Sequence, residues 1–173
     1  MSPGILRSWR YCPRCASELD RSHAPARVDC PVCGFVGHAN SSPCVGVIVE
    51  DEEGRVLLAR RAIDPYRGMW DTPGGYLEEG EHPVDGIHRE LLEETGLTVE
   101  PGEFLGAFMD WYGDAPDANA TLNLFWTASV VSGDPVPADD VAELRWFAAH
   151  EVPPDEEFAF TVLPSVLDAW RSR

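Results

Sequence analysis

The apolar run Cys44-Val-Gly-Val-Ile-Val49 is followed by a turn, Asp51-Glu-Glu-Gly54, and by a second apolar stretch, Arg55-Val-Leu-Leu-Ala59. Short runs rich in β-branched residues and separated by turn formers predict a hairpin. A loop rich in Gly and Pro over 64–82 leads into a helix predicted at 83–95. Pro83 suits the first helical turn, and Gly96 suits the position just past the end, with Leu97 as its apolar partner. At about 100° per residue, Val84, Ile87 and Leu91 make one buried stripe, while Glu90, Glu93 and Glu94 share an arc about 100° wide. Gly86 lies on that arc one turn before Glu90. It costs about 1 kcal/mol against alanine but lets another group approach closely. Further strands are predicted around 104–111, 121–131 and 143–148, with a helix near 161–171. Strands alternating with helices predict an α/β sandwich. The polar, turn-rich stretch 37–43 reads as a linker.

A length of 173 residues allows one domain, or a medium domain with a small appendage. The formal net charge of -17 leaves no basic footprint for displacing counterions from phosphates, so neither nucleic acid nor an anionic membrane is an expected partner. An acidic protein that handles phosphates needs a divalent cation between the two charges. All 13 basic residues are arginine, which excludes Schiff-base chemistry and a phosphate-loop lysine. MSPGILRSWRY holds no apolar run of signal-peptide length, and nothing later approaches the roughly 18 apolar residues of a membrane span. The expectation is a cytoplasmic protein whose cysteines stay reduced.

Four of the five cysteines fall in the pattern C-x2-C-x14-C-x2-C: Cys12, Cys15, Cys30 and Cys33. Two such knuckles place four thiolates at tetrahedral corners, and the segment between them has room for a short hairpin. A structural zinc ribbon over residues 1–40 is predicted. With four sulfurs its zinc has no open position for catalysis. Gly34 falls where a knuckle turn wants positive φ. Cys44, inside the apolar run, reads as a small buried hydrophobe.

Three glutamates crowded on one helix repel and raise one another's pKa. The preceding loop, Trp70-Asp-Thr-Pro-Gly-Gly-Tyr76, offers backbone carbonyls beside two glycines. Carboxylates with a carbonyl make a hard oxygen cage suited to Mg²⁺ or Mn²⁺, which relieves the repulsion and bridges to substrate phosphates. Gly75, Glu81 and Arg89-Glu90-Leu91-Leu92-Glu93-Glu94-Thr95-Gly96-Leu97 match the Nudix box, G-x5-E-x7-R-E-U-x-E-E-x-G-U, at all nine constrained positions over 23 residues. Residues 41–173 thus resemble the Nudix hydrolase family.

The resemblance implies an α/β/α sandwich with a mixed sheet and hydrolysis of a nucleoside diphosphate linked to another group. It implies that Glu90, Glu93 and Glu94, with the Gly74 carbonyl, hold Mg²⁺ or Mn²⁺, and that Arg89 and Glu81 pair to orient the helix against the loop. The proton acceptor lies on the helix or on a later loop. Glu143 resembles a position near the site in many members, with Asp139 and Asp140 as rivals and a plain strand-edge role as the alternative for Glu143. Family members are commonly homodimers.

A cysteine ribbon joined to a Nudix domain occurs in NADH pyrophosphatases and in a group acting on FAD and ADP-ribose. The signature S-Q-P-W-P-F-P-x-S of the first group is absent after the box. Segments 63–77 and 157–161 are more similar to the second group, so FAD or ADP-ribose type substrates releasing AMP are expected. The alternatives are an NADH pyrophosphatase, a pyrophosphatase cleansing the nucleoside triphosphate pool, and a non-enzymatic zinc-ribbon regulator. A flat base or flavin favours aromatic stacking. Trp111, Tyr112 and Trp126 are candidates for it, against ordinary core packing.

Overall fold

The computed structural model describes residues 5–113 and 118–173; the opening MSPG and residues 114–117 lie outside the described residues. The chain packs into two compact units, Met1–Ser42 with Trp111–Thr121, and Pro43–Asp110 with Leu122–Arg173. In the first, β1 (Arg27–Asp29) pairs antiparallel with β2 (Val36–His38), with Val28 opposite Gly37. A small core of Leu6, Cys12, Leu19, Val28 and Cys30 supports the hairpin. Gly34 has φ 72°, as its place after the second cysteine pair predicts.

The second unit is built on a sheet whose main path runs β5–β4–β3–β8–β7. The strands of the sheet are β3 (Ser42–Glu50), β4 (Val56–Arg61), β5 (Trp70–Asp71), β6 (Gly74–Tyr76), β7 (Thr98–Tyr112), β8 (Asn119–Ser132) and β9 (Val141–Phe147), of which Ser42, the end of β7 from Trp111 and the start of β8 up to Thr121 are counted with the first unit. β6 pairs with β3, and β9 pairs with β4. The predicted hairpin is β3–β4. The two short strands β5 and β6 lie inside the stretch that sequence reading assigned to loop.

Helix α1 (Pro83–Thr95) occupies the predicted span, and α2 (Leu163–Arg171) follows β9. They cover opposite faces of the sheet. Val45, Val47, Val49 and Leu57 meet Ile87 and Leu91 of α1. Ile48, Val56 and Leu58 meet Leu163, Val166, Leu167 and Trp170 of α2. Side chains alternate faces along a strand, so a strand covered on both sides must be apolar throughout. That is why Cys44–Val49 reads as an unbroken run. The α/β/α expectation therefore holds. Cys44 is buried as expected, and burial pushes its thiol up to about 12.

The ends of α1 are set locally. Gly96, at φ 70°, closes the helix with its amide donating to the Leu92 carbonyl, and Leu97 is buried behind it. At the other end the amide of Val84 donates to Nδ1 of His82 at 3.2 Å, a cap that the sequence pattern did not suggest. Ile87 and Leu91 are fully buried, each contributing about 1.5–3 kcal/mol. Val84 of the predicted stripe is only half-buried.

Candidate active site

Arg89 is the mechanical centre of the carboxylate helix. Its Nε and Nη2 donate to the two oxygens of Glu81, both at 2.8 Å, and Nη2 also donates to the Tyr76 carbonyl at 3.0 Å. On the other side Nη1 donates to Glu90 at 2.7 Å and to Glu93 at 3.2 Å. One planar guanidinium thus ties the loop after β6 to the helix, a task its fork of donors suits better than a lysine's point charge. The pairing holds Glu81 down to about 2, chiefly through the hydrogen bonds from Arg89.

Glu94 is buried with 7% of its surface exposed, and the amide of Gly74 donates to its Oε2 at 2.8 Å. Burial pushes its pKa well above the ordinary carboxylate range against the pull of that amide, and the charges of Asp140, Asp71 and Glu90 push the same way. Glu90 is likewise raised by burial, with Arg89 opposing. Glu93 is the exposed member. Like charge therefore converges on Glu94 from the helix, from β5 and from the turn before β9.

Close approach to these carboxylates depends on glycine. A Cβ on Gly75 would lie 2.7 Å from an oxygen of Glu90, and one on Gly74, at φ 141°, would lie 2.2 Å from the Val45 carbonyl. Gly86 admits Leu77 and Glu81, whose nearest atoms would stand 2.4 and 3.2 Å from an added Cβ. The close approach inferred for Gly86 is thus made by side chains of the preceding loop. At Gly74 the observed contact to Glu94 is through the amide, whereas the resemblance points to the carbonyl.

Among the described residues the ligand atoms of three or more acidic groups do not gather into one tight cluster; Arg89 and Gly74 hold the glutamate oxygens instead. The four thiols of Cys12, Cys15, Cys30 and Cys33 do gather, all within 4.8 Å of one another. Cys12 and Cys33 Sγ are 3.6 Å apart, and Cys15 and Cys30 Sγ 3.5 Å. A tetrahedron with metal–sulfur bonds of about 2.3 Å has edges near this length. Hydrogen bonds from Ser17 lower the Cys15 thiol, while burial and the neighbouring sulfurs push the Cys33 thiol up, so the metal-free cluster favours the thiolate at Cys15 and the thiol at Cys33.

The rivals for the later-loop base separate by sheet face. Leu144 and Trp146 pack into the α1-side core, whereas Phe147 belongs to the α2-side core. By alternation Glu143 lies on the face of Phe147, away from α1. There it sits opposite Arg60, whose Nη1 donates to it at 3.2 Å and whose guanidinium lies over the Trp70 ring. Asp140, by contrast, raises both Glu94 and Asp71 by its charge. The Asp140 carbonyl accepts from the Ala62 amide at 2.6 Å, and the Ala138 amide donates to the Glu94 carbonyl at 3.0 Å. Asp139 sits beside them at φ 53°.

Asp71 is the residue that sequence reading passed over. Its side chain is 17% exposed and pairs with Arg61, Oδ2 to Nη1, at 3.5 Å. Burial raises it to about 7 even so, with Arg61 opposing. Among the aromatic candidates, Trp126 packs against Phe104 with ring centroids 4.7 Å apart and joins the α1-side core. Trp111 and Tyr112 fall in the first unit. Trp111 is 40% exposed.

Comparison with known proteins places this geometry. The NUDIX domain family model matches residues 41–166. The NAD-capped RNA hydrolase NudC of Pseudomonas aeruginosa is 30% identical over 146 residues, covering 84% of this chain and 50% of that protein. The chain therefore spans about half the length of this relative. The crystal structure of a NUDIX hydrolase from Nitrosomonas europaea superposes with a TM-score of 0.74 at 31% identity, covering 94% of this chain and 89% of that one. The NUDIX domain of Shewanella oneidensis NrtR, solved with ADP ribose, shares the fold at 21% identity and a TM-score of 0.61, covering 78% and 88%. These relatives do not single out the FAD and ADP-ribose group, and the name of the first one includes RNA, against the exclusion drawn from charge. No helix among the described residues is long and apolar enough to cross a membrane. A family match over most of the chain, with the complete box running from β6 through the loop and α1 to Leu97, makes this chain a member of the Nudix family.

Proposed function

We propose that this chain is a pyrophosphohydrolase that cleaves the diphosphate of a nucleoside diphosphate linked to another group, with FAD or ADP-ribose type compounds as substrates and AMP as a product. The observation that carries the reading is the burial of the box carboxylate Glu94, braced by the Gly74 amide and with Asp140, Asp71 and Glu90 as like-charged neighbours. A solvated helix face has no use for a buried carboxylate whose ionisation its neighbours oppose. A divalent cation relieves that cost. Glu90, Glu93 and Glu94, with backbone near Gly74, would hold Mg²⁺ or Mn²⁺, which when bound neutralises diphosphate oxygens and acidifies water.

The chain's own residues supply the rest. Arg89 and Glu81 fix the helix against the loop, so the carboxylates keep their spacing. Asp140 is the better placed of the later-loop residues to take a proton, because its charge is felt at Glu94 while Glu143 lies on the opposite face with Arg60. The four cysteines would hold a structural zinc, whose closed sulfur shell leaves no position for substrate.

A second reading, cleavage of an NAD-type dinucleotide, free or at an RNA end, draws on the name of the Pseudomonas relative. One panel separates the two: FAD, ADP-ribose, NADH, nucleoside triphosphates and NAD-capped RNA, each with Mg²⁺ or Mn²⁺ and products identified by mass. Faster turnover of FAD or ADP-ribose supports the first reading, and preference for NADH or capped RNA selects the second. No phosphate-ester release from any of them would leave the non-enzymatic regulator.

A further inference from the structure

Arg61 ends β4 and makes more contacts than its role in strand pairing requires. Its amide donates to the Met69 carbonyl at 3.0 Å, and its own carbonyl accepts from the Gly68 amide at 2.9 Å. Its Nε donates to the Pro65 carbonyl at 3.0 Å, its Nη1 meets Asp71, and its guanidinium lies 5.5 Å from the centre of the Phe160 ring. The side chain is 10% exposed. The β4–β9 register slips between Arg60 and Arg61, the kind of bulge that re-aims a side chain beside a site.

Asp71 carries the contact onward. Its Oδ1 accepts from the Thr72 amide at 2.8 Å, and Thr72 and Pro73 are buried. Two residues later the Gly74 amide holds Glu94. A continuous series of polar contacts and backbone thus runs from the 65–69 loop through Arg61, Asp71 and Thr72 to Glu94. Burying two charges is costly, and an apolar pair of similar volume often serves stability as well. Stability alone therefore does not account for an ion pair here.

We propose that Arg61 and Asp71 form a positioning pair that sets the Thr72–Gly74 turn, and with it the Glu94 carboxylate, for divalent-cation binding. The inference rests on the reading of Glu94 as part of a metal site. Neither residue needs to touch the cation or the substrate. Partners that orient a metal ligand typically account for a 10–100-fold change in affinity or activity, roughly the effect expected here.

The test measures Mn²⁺ affinity by electron paramagnetic resonance on the full chain, with melting recorded alongside. Wild type should bind Mn²⁺ and Glu94→Gln should lose it; if wild type does not bind, the metal-site reading fails first and takes this proposal with it. Given wild-type binding, Asp71→Asn and Arg61→Met should each weaken Mn²⁺ about tenfold or more. Arg61→Lys, which keeps the charge, should recover part of the loss. The double variant Arg61→Met/Asp71→Leu leaves no unpaired buried charge, so it keeps the test open if a single variant unfolds. It should bind no better than the worse single, as expected of residues acting as a unit. Affinity within twofold of wild type in the folded variants overturns the proposal. Unfolding of every variant overturns it as well, because the pair would then be a stability element.

Discussion

The amide of Gly74 donates to Oε2 of Glu94 at 2.8 Å, so the turn after β5 and the last turn of α1 meet at one buried carboxylate. Position 74 must be glycine, because at φ 141° a Cβ there would stand 2.2 Å from the Val45 carbonyl of the neighbouring strand. The site is thus a contact between a backbone that must be glycine and a charge that burial disfavours.

Glu94→Gln separates stability from function. The amide keeps the shape and removes a charge that its surroundings oppose. Turnover should fall at least about a hundredfold, while the metal-free protein melts at the same or a higher temperature. Glu79, exposed in the variable part of the box, is the control, and its substitution should cost less than about threefold. Equal losses at the two positions would mean that Glu94 has no special part in the chemistry.

Gly75→Ala tests the spacing of the second carboxylate. The new methyl group would stand 2.7 Å from a Glu90 oxygen, inside van der Waals contact, so the carboxylate must swing away. Turnover should drop about tenfold or more with only a modest change in melting, since overpacking typically costs about 1–3 kcal/mol. The companion change Gly80→Ala falls where φ is 81° but the space around the Cβ is open. It should therefore cost stability through strain and leave turnover per folded molecule unchanged.

Melting of the metal-free protein should depend on pH in two opposed windows. Asp71 is raised to about 7 in the fold from an ordinary value near 4. The native state therefore holds the extra proton between those values, and stability falls as pH rises through that range. Glu81 is lowered to about 2, so its contribution is present above the ordinary glutamate value and is lost as pH falls toward 2. Maximum stability should lie between about pH 4 and 4.5, where the two windows meet, and Mg²⁺ should raise melting more at pH 8 than at pH 5. A melting temperature that climbs steadily from pH 5 to 8 without metal would contradict the burial that holds the proton on Asp71.

Cys30→Ser probes the ribbon. Zinc content should fall below one per chain and melting should drop, because a core as small as that around Leu6 and Val28 cannot replace the metal. Turnover per folded molecule should change little. Loss of turnover with folding and Mn²⁺ binding intact would give the ribbon a direct part in catalysis.

What the sequence made legible was what local chemistry controls. Pro83 and Gly96 bracket α1 because their backbone preferences act within one turn, and the continuous apolar β3 announces cover on both faces. β5 and β6, two and three residues long, carry no periodicity to detect. Asp71 looked like a loop residue because its meaning depends on Arg61 ten positions earlier and on Glu94 far ahead. The choice between Glu143 and Asp140 needed the parity of β9, which Leu144 and Trp146 disclose only once their core is known.

The bond that breaks is the last expectation. Glu90, Glu93 and Glu94 lie on one arc of α1 and, in the proposed reading, would with metal address a diphosphate; nothing in the box recognises the group beyond it. FAD should therefore give AMP and FMN, and ADP-ribose should give AMP and ribose 5-phosphate. Hydrolysis in ¹⁸O-labelled water places the label on one of the two phosphates and identifies the phosphorus attacked by water. Free adenine, free riboflavin or inorganic phosphate as the first product would sink the assignment, since those bonds lie outside the span that carboxylates on one helix can serve. Cleavage of nucleoside triphosphates alone, with label in a released pyrophosphate or nucleotide, would keep the mechanism and change the substrate class.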